Sequence, residues 1–362
     1  MAFRQVRILA CMTALVHLAG CSSAPAASPA VAGNDLPHGI VLIVGDGMGS
    51  AHFTLARILR GDRYRIGELP NTGLVATAAA DSLVTDSAAA ATAYATGIKT
   101  NDGYLGVDPS GAPHSTVLEA AEQRGLATGL VTTARFGDAT PAAFAAHVEN
   151  RGNFAVIAGQ MLASGADILA STGLELFGTD GVPTLEQFAS GSAYQVVRTG
   201  AAVAHAGAGP VLAVLPSGKL DAESPEMPLH ELALWALERL SGDPDGFFLL
   251  VEHEGTDTAS HRNNQAALEK DLVALDQTVG TVADFARARG GILVIVVGDH
   301  ETGGMQVGGT RDAPEAIWRD DYHSGEAVPI FSMGPGADAF TGFLDNTDVG
   351  RALLALVGRM GR

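Results

Sequence analysis

The feature that constrains this chain most is a set of short, uninterrupted apolar runs, each bounded by glycine or by polar residues. Residues 39–44 read GIVLIV and end at Gly45-Asp46-Gly47. Runs of the same kind occupy 127–132, 166–170, 247–251, 291–297 and 328–333. A strand with no polar alternation must be covered on both faces, which is the pattern of a buried parallel sheet. Between these runs lie stretches with helical spacing of apolar residues, at 50–60, 115–124, 153–163, 228–240, 265–289 and 347–356. Strands alternating with helices predict an α/β chain, with a mostly parallel central sheet and helices on both faces in a three-layer sandwich. In such sheets, sites form beyond the carboxyl ends of the strands. The polar residues that directly follow each run therefore carry the functional signal.

Charge narrows the function classes. The 362 residues hold 22 Lys and Arg against 40 Asp and Glu, a formal net charge of −18. Such a chain repels nucleic acid backbones at long range, and no nucleic acid partner is expected. A phosphate-handling site here must bring its own positive charge, which bound metals would supply. At the N-terminus, Arg4 and Arg7 precede an apolar run too short to span a bilayer. Leu18-Ala19-Gly20-Cys21 resembles a lipobox. Residues 1–21 are thus expected to be a lipoprotein-type signal peptide. Cys21 would anchor the protein by lipid in the periplasm or cell envelope. Residues 22–36 would form a flexible linker. Residues 37–360 would form one catalytic domain, in which 173–225, rich in Gly, Ser and Ala, is predicted to be an insertion over the sheet edge. Cys11 lies inside the leader, so no disulfide is expected.

Six segments carry candidate chemistry. Gly45-Asp46-Gly47-Met48-Gly49 presents Asp46 at the tip of a strand-ending turn. Thr85-Asp86-Ser87 precedes an alanine-rich helix, placing Ser87 at or beside an N-terminus suited to an oxyanion. Asp138-Ala139-Thr140-Pro141 reads as a helix start with Thr140 as cap. Arg151, eleven residues after Thr140, would lie on nearly the same side of that helix if it runs unbroken. Its guanidinium could hold phosphate oxygens bidentately. Glu252, Asp257 and His261 follow another run; Asp257 and His261 share a helical face at chelating spacing. His253 and Glu254 are equally capable ligands by type. Asp299-His300-Glu301 follows an all-apolar strand, where an Asp-His pair is costly unless something binds it. His323 precedes the last run. Together these residues predict a multinuclear metal site, with carboxylate and imidazole donors suited to zinc and magnesium.

The segments GDGMG at 45–49, TDSAAAATA at 85–93, DATPAAFAAHVENR at 138–151, VE at 251–252 with Asp257 and His261, DH at 299–300 and HSG at 323–325 resemble the alkaline phosphatase family, in the family's order. The resemblance covers 39–151 and 247–358. It implies a phosphate monoester hydrolase, active at alkaline pH, with Ser87 as nucleophile, Arg151 as phosphate clamp and Asp86 orienting that arginine. It implies two zinc ions and one magnesium. One zinc would take Asp257, His261 and His323, and the other Asp46, Asp299 and His300. Magnesium would take Asp46, Thr140 and Glu252, with Asp138 contacting it through water. Small-molecule phosphate monoesters are the implied partners, and a homodimer is a further expectation. The chain departs from the family's pattern at His253–Thr256 and Thr258, at Ser171-Thr172-Gly173, and in a short segment between Gly304 and His323. A phosphodiesterase of the same superfamily and a non-catalytic, lipid-anchored phosphate- or metal-binding protein are the rival readings. A sulfatase is disfavoured because Ser87 lacks the Pro and Arg context that its modified residue needs.

Overall fold

The computed structural model describes residues 36–179, 182–218 and 226–361. The expected leader, Cys21 and residues 22–35 of the linker lie outside the described residues. The chain begins with β1 (Gly39–Gly45), α1 (Ser50–Arg60), β2 (Asn71–Ala76), α2 (Ser87–Thr96), α3 (Val117–Gln123), β3 (Ala127–Arg135), α4 (Ala139–Ala143), α5 (Phe154–Ala163) and β4 (Ile168–Thr172). It continues with α6 (Leu185–Phe188), β5 (Gln195–Val197), α7 (Gly200–Ala204), β6 (Val211–Val214), α8 (Leu229–Leu240), β7 (Phe247–His253), α9 (Gly255–His261), α10 (Gln265–Arg289) and β8 (Ile292–Gly298). The last part holds β9 (Glu301–Thr302), β10 (Gln306–Thr310), β11 (Ala313–Ile317), β12 (His323–Ser324), β13 (Val328–Met333), β14 (Gly342–Asp345) and α11 (Asn346–Val357).

Ten strands form one sheet in the order β14-β2-β13-β8-β1-β7-β3-β4-β6-β5. Among the described residues only β13 runs against the others, antiparallel to both β8 and β2. Along β1, Ile40, Leu42 and Val44 enter one core, with α2, α3, α4, α5 and α11 over them. Val41 and Ile43 enter the other, under α1, α8, α9 and α10. Every residue of β1, β7 and β8 is buried, which is why these runs show no polar alternation. Each fully buried Val, Leu or Ile contributes about 1.5–3 kcal/mol of transfer free energy, so the central strands are the firmest part of the scaffold. Their carboxyl ends hold the site. Among the described residues no helix is long and apolar enough to cross a membrane.

The structure redraws three sequence-level expectations. Within 173–225, β6 pairs in parallel with β4 and β5 pairs in parallel with β6, so this stretch extends the sheet itself rather than covering its edge. The helix begun at Asp138 does not run to Arg151. It ends at Ala143, because Val148 leaves it to pair both its N–H and its C=O with Leu105. Its cap is Asp138, whose carboxylate accepts the Ala139 N–H, and not Thr140, which lies inside the first turn. The half-buried strands β2 and β14 have no continuous apolar run to announce them.

Candidate active site

The turn after β1 needs glycine. Gly47 has φ +74°, and a Cβ there would come within 2.9 Å of the Asp257 backbone and the Thr302 hydroxyl. That closeness lets Asp46, β9 and α9 share one small volume. Asp299 follows β8, and its Oδ1 accepts N–H groups from Gly47 at 3.0 Å and from His300 at 2.9 Å. The other oxygen, Oδ2, lies 3.3 Å from His300 Nε2, and Asp46 Oδ1 lies 3.5 Å from the same nitrogen. All three residues are buried.

A second triad, Asp257, His261 and His323, stands beside the first, with ligand atoms mutually within 4.8 Å in each triad. Four-residue spacing on α9 sets His261 Nε2 3.2 Å from Asp257 Oδ2. His323 arrives from β12, which pairs with β9; because β13 is antiparallel, the segment entering it lies at the carboxyl ends of its neighbours.

Proton positions follow from the partners. His261 Nδ1 donates to the Asp321 carbonyl at 2.6 Å, and His323 Nδ1 to the Thr85 carbonyl at 2.8 Å. The Thr302 hydroxyl donates to Asp257 Oδ1 at 2.5 Å, so it accepts from His300 Nδ1 at 3.2 Å. All three imidazoles thus spend Nδ1 on a fixed acceptor and turn Nε2 inward. That is how metal-ligating histidines are oriented.

The electrostatics of the cluster suit a cation. Burial first, then neighbouring carboxylates, pushes Asp46 well above its ordinary range. Burial likewise raises Glu252 to about 8 and Asp299 to about 6. Burial depresses His300 and His323 to about 4, so both rings are neutral and offer lone pairs. The hydrogen bond to Asp257 raises His261 to about 9, a proton standing where a metal ion would sit. Asp46 Oδ1, Asp299 Oδ2 and Thr140 Oγ1 are buried without a hydrogen-bond partner. Orphaned oxygens and inward lone pairs among crowded carboxylates are what divalent ions would satisfy. The donor set fits zinc at the two His-containing triads and magnesium at Asp46, Thr140 and Glu252. Glu252 is held there by the Thr132 hydroxyl from the neighbouring strand.

Ser87 is the first residue of α2, and its cap is Asp86, which accepts the Ala89 N–H. The serine hydroxyl is thereby free of capping and lies 3.1 Å from His300 Nε2. Asp86 also accepts from Gly103 N–H at 3.1 Å and from Arg151 Nη1 at 2.9 Å. Burial works against its ionisation, but these bonds and the arginine's charge outweigh it and hold the carboxyl below its ordinary range. Arg151 Nη2 reaches Asp138 Oδ1 at 3.3 Å, so two carboxylates fix the guanidinium. Asp138 faces Arg151 and Arg135.

The structure brings Asp46, Asp299 and His300 into one cluster and Asp257, His261 and His323 into another, with Ser87 against His300 and Arg151 held by Asp86 and Asp138. The open choice within 252–254 resolves by contact: His253 points to Asp271 at 3.1 Å, and Glu254 accepts from Thr258. Sequence reasoning missed Thr302, which links the two triads, and His52. His52 Nδ1 accepts the Gly49 N–H at 3.2 Å, and its Nε2 donates to Ser260 at 3.0 Å, tying the Asp46 turn to α9. Thr302 carries no local signal: it sits two residues past His300 across a bend, and its role comes from contacts with Asp257 and His300. Glu301 accepts from Ser324 and pins the His323 segment.

The sequence profile of the alkaline phosphatase family matches residues 38–173 and 217–321. The chain is 32% identical to the alkaline phosphatase of Escherichia fergusonii, over 90% of this chain and 87% of that one. It is 33% identical to streptomycin-6-phosphate phosphatase of Streptomyces griseus, over 93% of this chain and 94% of the relative. Among solved structures, the alkaline phosphatase of the Antarctic bacterium TAB5 superposes with a TM-score of 0.82 at 26% identity, covering 91% of this chain and 99% of the other. The Thermus thermophilus alkaline phosphatase, at 23% identity, shares the fold with a TM-score of 0.84, over 96% and 97% of the two chains. A profile match over most of the chain, with relatives at this identity across most of both lengths, makes the assignment plain: this chain is an enzyme of the alkaline phosphatase family.

Proposed function

We propose that the enzyme hydrolyses small-molecule phosphate monoesters through a phosphoserine on Ser87. The observation that carries this reading is the Ser87 hydroxyl, 3.1 Å from Nε2 of His300 in one ligand triad, on a helix start whose Asp86 holds the Arg151 guanidinium. Two zinc ions, on Asp257/His261/His323 and on Asp46/Asp299/His300, and one magnesium on Asp46/Thr140/Glu252, with Asp138 reaching it through water, would supply Lewis acidity and positive charge. The structure of a variant of the TAB5 enzyme, similar to this chain with a TM-score of 0.81, contains bound magnesium.

Ser87 Oγ passes its proton to solvent water and attacks phosphorus in line as the bond to the alcohol oxygen breaks. The departing alkoxide takes a proton back from water. A water then attacks the phosphoserine, its OH bonding to phosphorus as the Ser87 Oγ–P bond breaks and its other proton returning to Ser87 Oγ, and inorganic phosphate leaves. Arg151, oriented by Asp86 and Asp138, binds two phosphate oxygens through both steps, so positioning and charge provide most of the acceleration. Because ionised Ser87 is the attacking form, activity rises into alkaline pH.

Parallel assays of phosphate monoesters, diesters and sulfate esters, with metal analysis of the same sample, test the reading. Monoester turnover with zinc and magnesium present supports it; preference for diesters replaces it with the phosphodiesterase reading, and no turnover of any ester with the binding-protein reading. Anchoring through a lipidated Cys21 in the periplasm or cell envelope is a separate proposal, supported by the lipobox-like sequence. Mass spectrometry of the mature N-terminus decides it, and an unmodified N-terminus cut elsewhere rejects it. Assembly as a homodimer is proposed from the family membership, and light scattering of the purified protein tests it.

A further inference from the structure

Among the described residues six large apolar or aromatic side chains are exposed, and two of them stand on the loops that carry the site. Leu83, 84% exposed, lies three residues before Asp86, and Tyr322, 53% exposed, directly precedes His323. The Tyr322 ring lies flat on the His323 ring, with centroids 4.5 Å apart and planes 6° apart. It is also 5.9 Å from the His261 ring. On its other side His323 stacks on His300, at 3.6 Å and 20°. Tyr322 is therefore the solvent end of a three-ring stack whose innermost member contacts the Ser87 hydroxyl.

Both loops are held in place. The Gly303 N–H donates to the Tyr322 carbonyl at 2.8 Å, and His323 Nδ1 binds the Thr85 carbonyl, fastening the Leu83 loop to the Tyr322 loop.

In-line displacement fixes where the alcohol goes. Attack by Ser87, on the His300 side, expels the alcohol on the opposite side of phosphorus, toward Asp257, His261 and His323. The organic part beyond that oxygen meets Tyr322, which borders this triad on its solvent side, with Leu83 on the adjoining loop. An exposed ring held flat at this position is built to stack against another flat ring.

We propose that Tyr322, with Leu83, forms the subsite for the organic part of the substrate and selects phosphate monoesters of flat aromatic alcohols. The proposal rests on the phosphatase reading of the site. The test compares 1-naphthyl phosphate with glycerol 2-phosphate as substrates, and phenylphosphonate with inorganic phosphate as competitive inhibitors, on the zinc- and magnesium-loaded enzyme. In Tyr322→Ala, KM for the naphthyl ester and Ki for phenylphosphonate should rise about threefold to tenfold, the range of one aromatic pair. KM for the glycerol ester, Ki for inorganic phosphate and bound zinc should hold. Tyr322→Phe should keep the aromatic preference, and Leu83→Ser, remote from any ligand residue in sequence, should lose part of it. Equal losses for both esters, lost zinc in Tyr322→Ala, or unchanged phenylphosphonate binding would overturn the proposal. Wild-type enzyme that cleaves both esters with equal kcat/KM rejects the subsite and leaves the phosphatase reading standing; enzyme that cleaves neither rejects both.

Discussion

His261 and His323, 62 residues apart in sequence, aim their Nε2 atoms at each other across 3.1 Å. Each ring has its Nδ1 bound to a backbone carbonyl, so neither can turn away without breaking a hydrogen bond. Two nitrogen lone pairs held this close repel unless a cation or a shared proton lies between them. The pair is a prepared ligand site, in which a metal ion would replace the His261 proton, and that exchange sets the first expectation.

Removing metal with a chelator should abolish ester hydrolysis and lower Tm, and zinc plus magnesium should restore both. Differential scanning calorimetry of the apo and reloaded protein measures this. A ligand present at one hundred times its Kd stabilises the fold by about 2.7 kcal/mol, so a shift of several degrees is expected. An unchanged Tm together with full activity after exhaustive chelation would sink the metal assignment.

Thr302→Val keeps the shape of the side chain and removes the hydroxyl that joins His300 Nδ1 to Asp257 Oδ1. Zinc affinity should fall about tenfold to a hundredfold, the usual cost of losing an outer partner of metal ligands. Competition with a zinc-responsive dye reads it. Excess zinc should recover most of kcat, which loss of a catalytic group would not allow.

Ser87→Ala should reduce kcat by about three orders of magnitude or more, as removal of a nucleophile does, with bound zinc unchanged. Arg151→Lys retains charge but loses the two-pronged grip, and inorganic phosphate should bind roughly tenfold more weakly. Titration calorimetry with phosphate separates the two variants: Ser87→Ala should still bind phosphate, and Arg151→Lys should bind it poorly.

His52 gives a stability that depends on pH. Burial lowers its folded-state value to about 4 from 6.5, so the fold keeps the ring neutral while the unfolded chain takes up a proton between those values. This contribution is fully present above pH 6.5 and is lost as pH falls toward 4, with a total on the order of 3 kcal/mol. Denaturant unfolding of wild type and His52→Asn at pH 7 and pH 4.5 measures it. The difference in stability between the two proteins should shrink at the lower pH; a constant difference would contradict this account.

Much of the scaffold was legible in the sequence because buried parallel strands leave a local signature. The runs at 39–44, 247–251 and 291–297 became β1, β7 and β8 with ends shifted by two residues or fewer. Helix α10 spans the stretch 265–289, closed by Gly290 at φ +72°. Strands β2, β5, β6 and β14 escaped notice because a short or half-exposed strand gains its identity from its neighbours rather than from its own pattern.

By itself, the sequence determined the alternation of strands and helices and set Asp46, Glu252, Asp299 and His300 at strand ends, since apolar periodicity and strand-ending polar residues are local properties. Tertiary structure brought the side chains that the family resemblance grouped to within ligand distance of one another. Strand order places β1 between β7 and β8, and the antiparallel β13 returns His323 to the same end of the sheet. It also decided the proton positions, through acceptors as distant as Thr85 from His323, 238 residues apart. It replaced an imagined long helix under Arg151 with a turn braced by the Leu105–Val148 bridge. The reason is that sheet pairing and buried carboxylate crowding are many-body, long-range terms. No window of sequence contains them, and only the packed sheet brings these carboxylates and imidazoles to within 4.8 Å of one another.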